Sequence, residues 1–242
     1  MTGALRVGGL TPLTTIDFPG RLAAVVFLQG CPWRCGYCQN PELIAADPPV
    51  ARPQQHGKTA PPATRRRAGG VTSWDEVIAF LQRRRGLLDG VVFSGGEPTL
   101  QAGLADAVAQ VRELGFEVGL HTAGMYPERL AALLPSLDWV GFDVKAPFDL
   151  YDTVTGVPAS GVKVRASLDH LLRSGVPHEC RTTWHPGLFA LQHLQALAAA
   201  LAELGVAHWA VQTCRVDGTP QSMPPEAVLA RLGARFERFC LR

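Results

Sequence analysis

Residues 22–38 have the sequence LAAVVFLQGCPWRCGYC, an apolar run of strand length followed at once by a loop that carries three cysteines. Five further short apolar runs occur along the chain, and segments of helical periodicity separate several of them. This alternation predicts parallel βα units rather than an all-α or all-β domain. The six predicted strands are Leu22–Leu28, Gly90–Ser94, Phe116–His121, Trp139–Asp143, His178–Thr183 and His208–Thr213.

Apolar residues recur three and four positions apart between these strands, which is the spacing of one face of a helix. The clearest sets are Val77, Ile78 and Leu81; Leu104, Val108, Val111 and Leu114; and Leu191, Leu194, Leu197, Leu201 and Leu204. Gly115 and Gly205 follow two of these helices, where glycine commonly ends a helix. Six parallel βα units can form an open doubly wound sheet or a partial barrel, and both place ligands at the C-terminal strand ends.

The composition restricts the class of protein. Of the 242 residues, 47% are hydrophobic and 18% are charged, which suits one compact domain spanning 1–242. The formal charge of +2 is too balanced for a dedicated nucleic-acid binder. Three of the six cysteines lie between positions 31 and 38, unlike the even spacing of a secreted disulfide scaffold. With no predicted leader or membrane span, we expect a protein of the reducing cytoplasm.

The segment 47–70 falls outside the alternation of strands and helices. It has five prolines, five Lys or Arg residues, one acidic residue and almost no large apolar side chain. A segment of this composition buries too little apolar surface to order itself, so we predict a flexible, basic, proline-rich insertion. The favoured interpretation is a tolerated surface loop, and the alternative is a docking arm for an acidic partner.

The loop after the first strand has a C-x3-C-x2-C motif, formed by Cys31, Cys35 and Cys38. Pro32 and Gly36 favour a loop folded around a ligand over a helix face that carries buried cysteines. A structural zinc site needs four ligands, and the nearest fourth candidate, His56, lies inside the insertion. A 4Fe–4S cluster held by three cysteines leaves one iron open to a small molecule, which makes it a catalytic device.

With the aromatic Tyr37 before its last cysteine, this motif resembles that of the radical S-adenosylmethionine (SAM) superfamily. The resemblance implies that Cys31, Cys35 and Cys38 hold a 4Fe–4S cluster whose open iron is chelated by the amino and carboxylate groups of SAM. It also implies that Tyr37 lies beside the adenine. The fold implied is a partial (β/α)6 barrel, similar to a TIM barrel that stops short of eight units.

The second predicted strand ends in the run Ser94-Gly95-Gly96-Glu97-Pro98. Two glycines let the backbone approach an amino-acid ligand closely, and a carboxylate can pair with the ligand's ammonium group. The same run is also a good strand-to-helix turn, with proline early in the next helix. After the cysteine motif it resembles the GGE motif of the superfamily, which implies that Gly95, Gly96 and Glu97 bind SAM.

Polar residues also follow the later strands. Asp143-Val144-Lys145 puts an acid and a base on the same side of an extended chain, where the alternative is a simple surface ion pair. In glycyl-radical activating enzymes, which this chain resembles, a D-x-K at this place helps to bind the methionine part of SAM. Thr122 and Arg181 are predicted to contact ribose hydroxyls or a carboxylate. The residues held in reserve are His121, His185 and Gln212.

Three further runs narrow the resemblance to one branch of the superfamily: TIDFPGR at 15–21, VFLQGC at 26–31 and CQNPEL at 38–43. They are similar to the activating proteins of anaerobic ribonucleoside-triphosphate reductase. The resemblance implies reductive cleavage of SAM to a 5′-deoxyadenosyl radical, which takes a hydrogen atom from a glycine Cα of the reductase. A flavodoxin or ferredoxin is the implied electron donor. No catalytic residue beyond the cluster and SAM is implied, because the cofactors carry the chemistry.

Alternatives remain open at this point. The radical could be made on another glycyl-radical enzyme or on a small (deaza)purine-like substrate, and a zinc-stapled nucleic-acid-binding module is the rival from another class. Cys180, Cys214 and Cys240 are too scattered to indicate a second cluster. Because the six βα units use up the chain, we expect no appended substrate domain.

Overall fold

The computed structural model describes residues 5–45, 73–216 and 218–242, so the predicted insertion at 47–70 lies outside the described residues. The strands are β1 Val7–Thr14, β2 Ala23–Leu28, β3 Gly90–Gly95, β4 Glu117–Thr122, β5 Trp139–Asp143, β6 His178–Trp184, β7 His208–Thr213, β8 Arg215–Val216, β9 Thr219–Pro220 and β10 Arg238–Leu241. The helices are α1 Trp74–Gln82, α2 Leu104–Glu113, α3 Pro127–Leu133, α4 Tyr151–Thr155, α5 Ser160–Ser174, α6 Leu191–Glu203 and α7 Glu226–Gly233.

The chain divides into two compact units. The first unit takes its described residues from 1–32, 40–121 and 136–139, and the second unit takes them from 33–39, 122–135 and 140–242. The organisation of 1–242 as a single domain stays a prediction. No helix within 5–45, 73–216 or 218–242 is long and apolar enough to cross a membrane.

In the first unit, β1, β2, β3 and β4 lie side by side in that order. The β2, β3 and β4 strands are parallel, and every residue of β2 is buried. One side of the sheet packs around Phe18, whose ring stacks on Trp139 at a centroid distance of 5.9 Å. The α1 helix begins with a capping box, in which Ser73 and Glu76 exchange side-chain and backbone hydrogen bonds.

The β1 strand pairs antiparallel with β2 and was not predicted. Its sequence, VGGLTPLT, contains two glycines and a proline, which weaken any strand signal. A Cβ at Gly8 would lie 2.5 Å from the side chain of Leu43 and 2.9 Å from that of Gln29, so those side chains would have to shift to admit one. The strand is therefore specified by contacts that are distant in sequence.

In the second unit, β5, β6, β7 and β10 lie side by side in that order, and all three neighbouring pairs are parallel. The β10 strand was not predicted, because its four residues follow a short helix near the end of the chain. The α3, α4, α5 and α7 helices were also not predicted. The α5 helix buries Val164, Leu168 and Leu171, so it does have a helical spacing that the sequence analysis passed over.

All six predicted strands are present, as β2 to β7, within a residue or two of their expected bounds. The predicted helices are α1, α2 and α6. Gly115 and Gly205 lie one residue beyond the helix caps with φ angles of 89° and 84°, a conformation that glycine adopts without strain. The six-unit βα pattern placed the C-terminal strand ends correctly.

Candidate functional site

The loop that carries Cys31, Cys35 and Cys38 is not helical, as predicted. It starts in the first unit, where the N–H groups of Gly30 and Cys31 donate to carbonyls of the segment 43–44 at 2.8 and 3.0 Å. All three cysteines are partly buried. Among the described residues, no three His, Cys, Asp or Glu side chains already surround one metal position. The ligand assignment therefore depends on donor chemistry and spacing.

The rest of this loop, residues 33–39, belongs to the second unit. The N–H of Cys38 donates to the carbonyl of Cys35 at 3.1 Å, which closes a tight turn. Burial raises the pKa of the Cys35 thiol, and the nearby Lys145 ammonium acts in the opposite direction because it favours the thiolate. Lys145 thus places a positive charge near Cys35.

Tyr37 is buried in the second unit, and its ring lies 5.9 Å from the Lys145 Nζ. Burial raises the pKa of the phenol, so the hydroxyl stays protonated at neutral pH. Within the described part of the chain, this hydroxyl has no hydrogen-bond partner. A buried hydroxyl without a partner is costly, which points to a polar group that is supplied from outside the described residues.

The two glycines of the GGE run are explained by the chain's own backbone. Gly95 has a φ angle of 120°, and a Cβ there would overlap the backbone of Leu28. A Cβ at Gly96 would overlap the carbonyl of Gly30. The ends of β2 and β3 thus approach too closely for any side chain. We expected the glycines to admit a ligand, and the structure gives them this additional, structural reason.

Glu97 is 1% exposed and lies at the end of this glycine run. Its N–H donates to the Gly30 carbonyl at 2.9 Å, one residue before the first cysteine of the motif. Its Oε1 accepts from the N–H and the hydroxyl of Thr99, at 3.1 and 2.5 Å. The carboxylate therefore caps the short 3-10 turn Pro98–Leu100, and it is held in one orientation at the C-terminal end of β3.

Asp143 lies at the end of β5, opposite Arg181 of β6. The Arg181 Nη2 and Nε lie 2.8 and 3.0 Å from one carboxylate oxygen of Asp143. The Lys145 Nζ lies 3.3 Å from the other oxygen. Burial acts to lower the pKa of Lys145, but attraction to Asp143, together with smaller contributions from Tyr37, Cys35 and Tyr151, raises the pKa overall. Two cations thus share one carboxylate, so the cluster has a net positive charge.

The other predicted residues already have partners. The Thr122 hydroxyl accepts from the N–H of Gly124 at 3.0 Å, and the two rim groups His185 and Gln212 are bonded within their own unit. His121 is buried in the first unit, where its Nε2 lies 2.9 Å from the Asp17 carbonyl and its Nδ1 lies 3.4 Å from the Ser94 hydroxyl. This histidine is a satisfied core residue.

Sequence reasoning missed Tyr151, the first residue of α4. Its side chain is fully buried, and its hydroxyl contacts the backbone of both Asp143 and Lys145. The α4 helix has only five residues and no apolar periodicity, so nothing in the local pattern marked it. Its distance of six residues from Lys145, at the end of a predicted strand, was the one available hint.

The comparisons with known proteins agree on a family. A family model described as the radical SAM superfamily matches residues 25–190. A candidate glycyl-radical enzyme activating enzyme of Methanocaldococcus jannaschii is 30% identical over 207 residues, which are 81% of this chain and 75% of the relative. A pyruvate formate-lyase-activating enzyme of Streptococcus mutans is 32% identical over 197 residues, or 76% of this chain and 68% of the relative.

A 7-carboxy-7-deazaguanine synthase of Thermococcus kodakarensis is 31% identical over 130 residues, and the match covers about half of each protein: 52% of this chain and 50% of the relative. Among solved structures, QueE from Escherichia coli has a TM-score of 0.56 at 17% identity and covers 98% of this chain and 93% of its own. SuiB of Streptococcus suis, solved with S-adenosylmethionine, has a TM-score of 0.56 at 15% identity, with 88% of this chain and 48% of its own covered. These likenesses confirm the predicted α/β fold.

Proposed function

Because the chain belongs to the radical SAM superfamily and, within it, to the glycyl-radical enzyme activating enzymes, we propose that it generates the glycyl radical of anaerobic ribonucleoside-triphosphate reductase. The observation that carries this proposal is the similarity to an activating enzyme over 81% of the chain. The choice of the reductase is supported by the runs at 15–21, 26–31 and 38–43, which resemble those of its activating proteins. A flavodoxin or ferredoxin is the proposed electron donor.

The superfamily uses a 4Fe–4S cluster and SAM, and the residues of this chain fit the cluster. Cys31, Cys35 and Cys38 lie partly buried in one short loop, and three thiolates leave one iron open to a small-molecule ligand. We assign these three cysteines as its ligands. When bound, the cluster supplies the electron that splits the sulfonium of SAM into methionine and the radical that abstracts hydrogen from the substrate glycine.

The second unit suits the methionine part of SAM. Arg181 and Lys145 together carry two positive charges against the one negative charge of Asp143, and this net charge of the three side chains suits the carboxylate of an amino acid. The Tyr37 hydroxyl, without a partner among the described residues, suits a polar group of the nucleoside. Thr122 is the proposed ribose contact.

The first unit suits the ammonium group of SAM. The Glu97 carboxylate is buried and held by Thr99, so it meets an ammonium group without first losing rotamer freedom. Gly95 and Gly96 hold Glu97 next to the start of the cysteine loop. In this proposal the side chains bind, orient and desolvate, and none of them transfers a proton.

An electron paramagnetic resonance spectrum tests this function. The cluster-loaded protein is mixed anaerobically with SAM, a reductant and the anaerobic ribonucleotide reductase of the same organism. We expect the doublet of a glycyl radical, which must be absent when Cys35→Ala protein replaces the wild type. Formation of 5′-deoxyadenosine without a doublet would retain the radical chemistry and reject the reductase as the partner.

A second candidate partner is favoured by one specific observation. The similarity to a pyruvate formate-lyase-activating enzyme, at 32% identity, is as high as that to the archaeal relative. Another glycyl-radical enzyme of the formate-lyase type is therefore the substrate to offer in parallel in the same experiment. A doublet on that enzyme alone would identify it as the partner.

A further inference from the structure

The short helix α4 is hydrogen-bonded to both parts of the second unit that the proposed function uses. At its C-terminal end, the carbonyls of Thr155 and Val154 accept from the N–H groups of Arg34 and Gly36, at 2.9 and 3.3 Å. These two donors lie in the cysteine loop. At its N-terminal end, Tyr151 contacts the segment Asp143-Val144-Lys145. One turn of helix therefore joins the loop to the predicted SAM-binding pair.

The Tyr151 hydroxyl makes two hydrogen bonds to that segment. It accepts from the N–H of Lys145 at 2.7 Å and donates to the carbonyl of Asp143 at 3.3 Å. The intervening Val144 is fixed separately, because its N–H donates to the Arg181 carbonyl at 2.8 Å. The backbone conformation that aims the two charged side chains thus depends on a phenol from another element.

The Tyr151 ring is packed on two sides. It stacks on Phe148 with an interplanar angle of 6° and meets Trp33 edge-on at a centroid distance of 5.9 Å. Trp33 belongs to the cysteine loop and is itself buried. A phenylalanine would satisfy this packing equally well, so the hydroxyl has a separate purpose. Its hydrogen bonds to Lys145 and Asp143 go to the residues that carry the charged pair.

We infer that Tyr151 is a positioning residue for SAM binding, which acts by fixing the backbone of Asp143 and Lys145 relative to the cysteine loop. The inference rests on the proposed function, since it concerns the same pair of charged residues. Without the hydroxyl, the Lys145 N–H loses its partner and the pair loses its fixed orientation. A binding group that must first be ordered by its ligand binds that ligand less tightly.

The test compares Tyr151→Phe with wild type, both loaded with the cluster. We expect unchanged iron and sulfide content, and a Kd for SAM that is raised about tenfold, because a buried N–H has lost its acceptor. The control is Thr153→Val on the same helix turn, whose hydroxyl is bonded to the Leu150 carbonyl at 2.6 Å. That variant should bind SAM as the wild type does.

A double-variant comparison separates positioning from general packing. In a Lys145→Met background, Tyr151→Phe should change the Kd for SAM less than about twofold, because the ammonium group whose position depends on the Tyr151 hydroxyl is already missing. An equal effect in both backgrounds, or a wild-type Kd for Tyr151→Phe alone, would overturn the inference. A wild type that carries the cluster but does not bind SAM would overturn the proposed function together with the inference.

Hydrogen exchange in the wild type provides a first readout for which no variant is needed. In cluster-loaded wild type without SAM, the peptide covering residues 143–151 should exchange slowly at the Lys145 amide, since that N–H is already bonded. Exchange at the rate of an unfolded chain would contradict the role. In Tyr151→Phe, the same peptide should exchange faster while the peptide covering β7 is unchanged.

Discussion

Two guanidinium nitrogens of Arg181 contact the same carboxylate oxygen of Asp143, and the two residues lie opposite each other in the parallel pair β5–β6. The same guanidinium donates to the carbonyl of Gly141 at 3.3 Å, so the side chain is anchored to its neighbour strand at two points. This leaves the second oxygen of Asp143 for Lys145. The arrangement of the charged cluster therefore depends on the fork geometry of arginine.

The first prediction concerns Arg181→Lys. The variant keeps the charge and loses the fork, so we expect about 1–2 kcal/mol less free energy of unfolding and a several-fold weaker affinity for SAM. Chemical denaturation and SAM titration measure the two effects. The matched control is Arg165→Lys, which alters the exposed pair with Asp169 and should change stability by less than about 0.5 kcal/mol. Equal behaviour of the two variants would contradict the anchoring role.

The second prediction concerns Glu97→Gln. Glutamine keeps an oxygen that can accept from Thr99, so the short turn and the cluster content should be retained. The charge is lost, and a charge-assisted pair with the ammonium of SAM becomes an ordinary hydrogen bond, which predicts a Kd raised about tenfold or more. Isothermal titration with SAM is the measurement. An unchanged Kd would show that this carboxylate caps the turn and does nothing else.

Removal of one proposed cluster ligand is the third prediction. Cys35→Ala should lose the intact cluster, and with it the cleavage of SAM, while the fold is retained because the residue lies in a partly buried loop. Iron analysis, 5′-deoxyadenosine assay and circular dichroism report on the three properties. Cys240→Ala, which removes a partly buried thiol of β10, should keep normal iron content. A Cys35→Ala protein that still yields 5′-deoxyadenosine would contradict the assignment of Cys35 as a cluster ligand.

The fourth prediction is a loss of stability in weak acid through His178. Burial lowers the pKa of this imidazole; the Val176 carbonyl acts against that effect and His208 adds to it. Because the folded state favours the neutral ring, its contribution is fully present above the unfolded pKa of about 6.5 and is lost as pH falls from there towards the lower folded value.

Urea denaturation at pH 7.5 and at pH 5.5 tests this linkage. The free energy of unfolding should fall less for His178→Gln than for wild type over that interval, with His170→Gln on α5 as the control. Parallel curves for His178→Gln and wild type would assign the acid sensitivity to other groups.

The local sequence pattern was sufficient to predict the strands that consist of one continuous apolar run. Apolar runs such as β2, with all six residues buried, identify themselves without knowledge of their neighbours. The β1 strand has no such pattern, since Gly8 is there because Leu43 and Gln29 occupy the space where a side chain would lie. Contacts between distant segments are what a single sequence does not display.

The candidate site likewise contains residues that the sequence identifies and residues that only the structure identifies. Cys31, Cys35, Gly96 and Glu97 stand in short motifs that can be found in the sequence without the structure, and their proposed roles come from the resemblance that those motifs carry. The Tyr151 hydroxyl is hydrogen-bonded to the backbone of another segment. The two contacts of the Arg181 guanidinium with Asp143 depend on the strand register. Each needs the tertiary structure, because nothing in the identity of a tyrosine or an arginine says which backbone group or carboxylate it will meet.

The close approach of β2 and β3 affects how relatives of this protein should be judged. Gly95 and Gly96 are obligatory because the backbones of Leu28 and Gly30 fill the space beside them, whatever the protein binds. A descendant that had abandoned radical chemistry would still have to keep both glycines in order to fold. Their presence therefore reports the backbone geometry and not the ligand, whereas Glu97, which caps the Pro98–Leu100 turn and is proposed to bind SAM, is the residue of this run that a test of SAM binding should change.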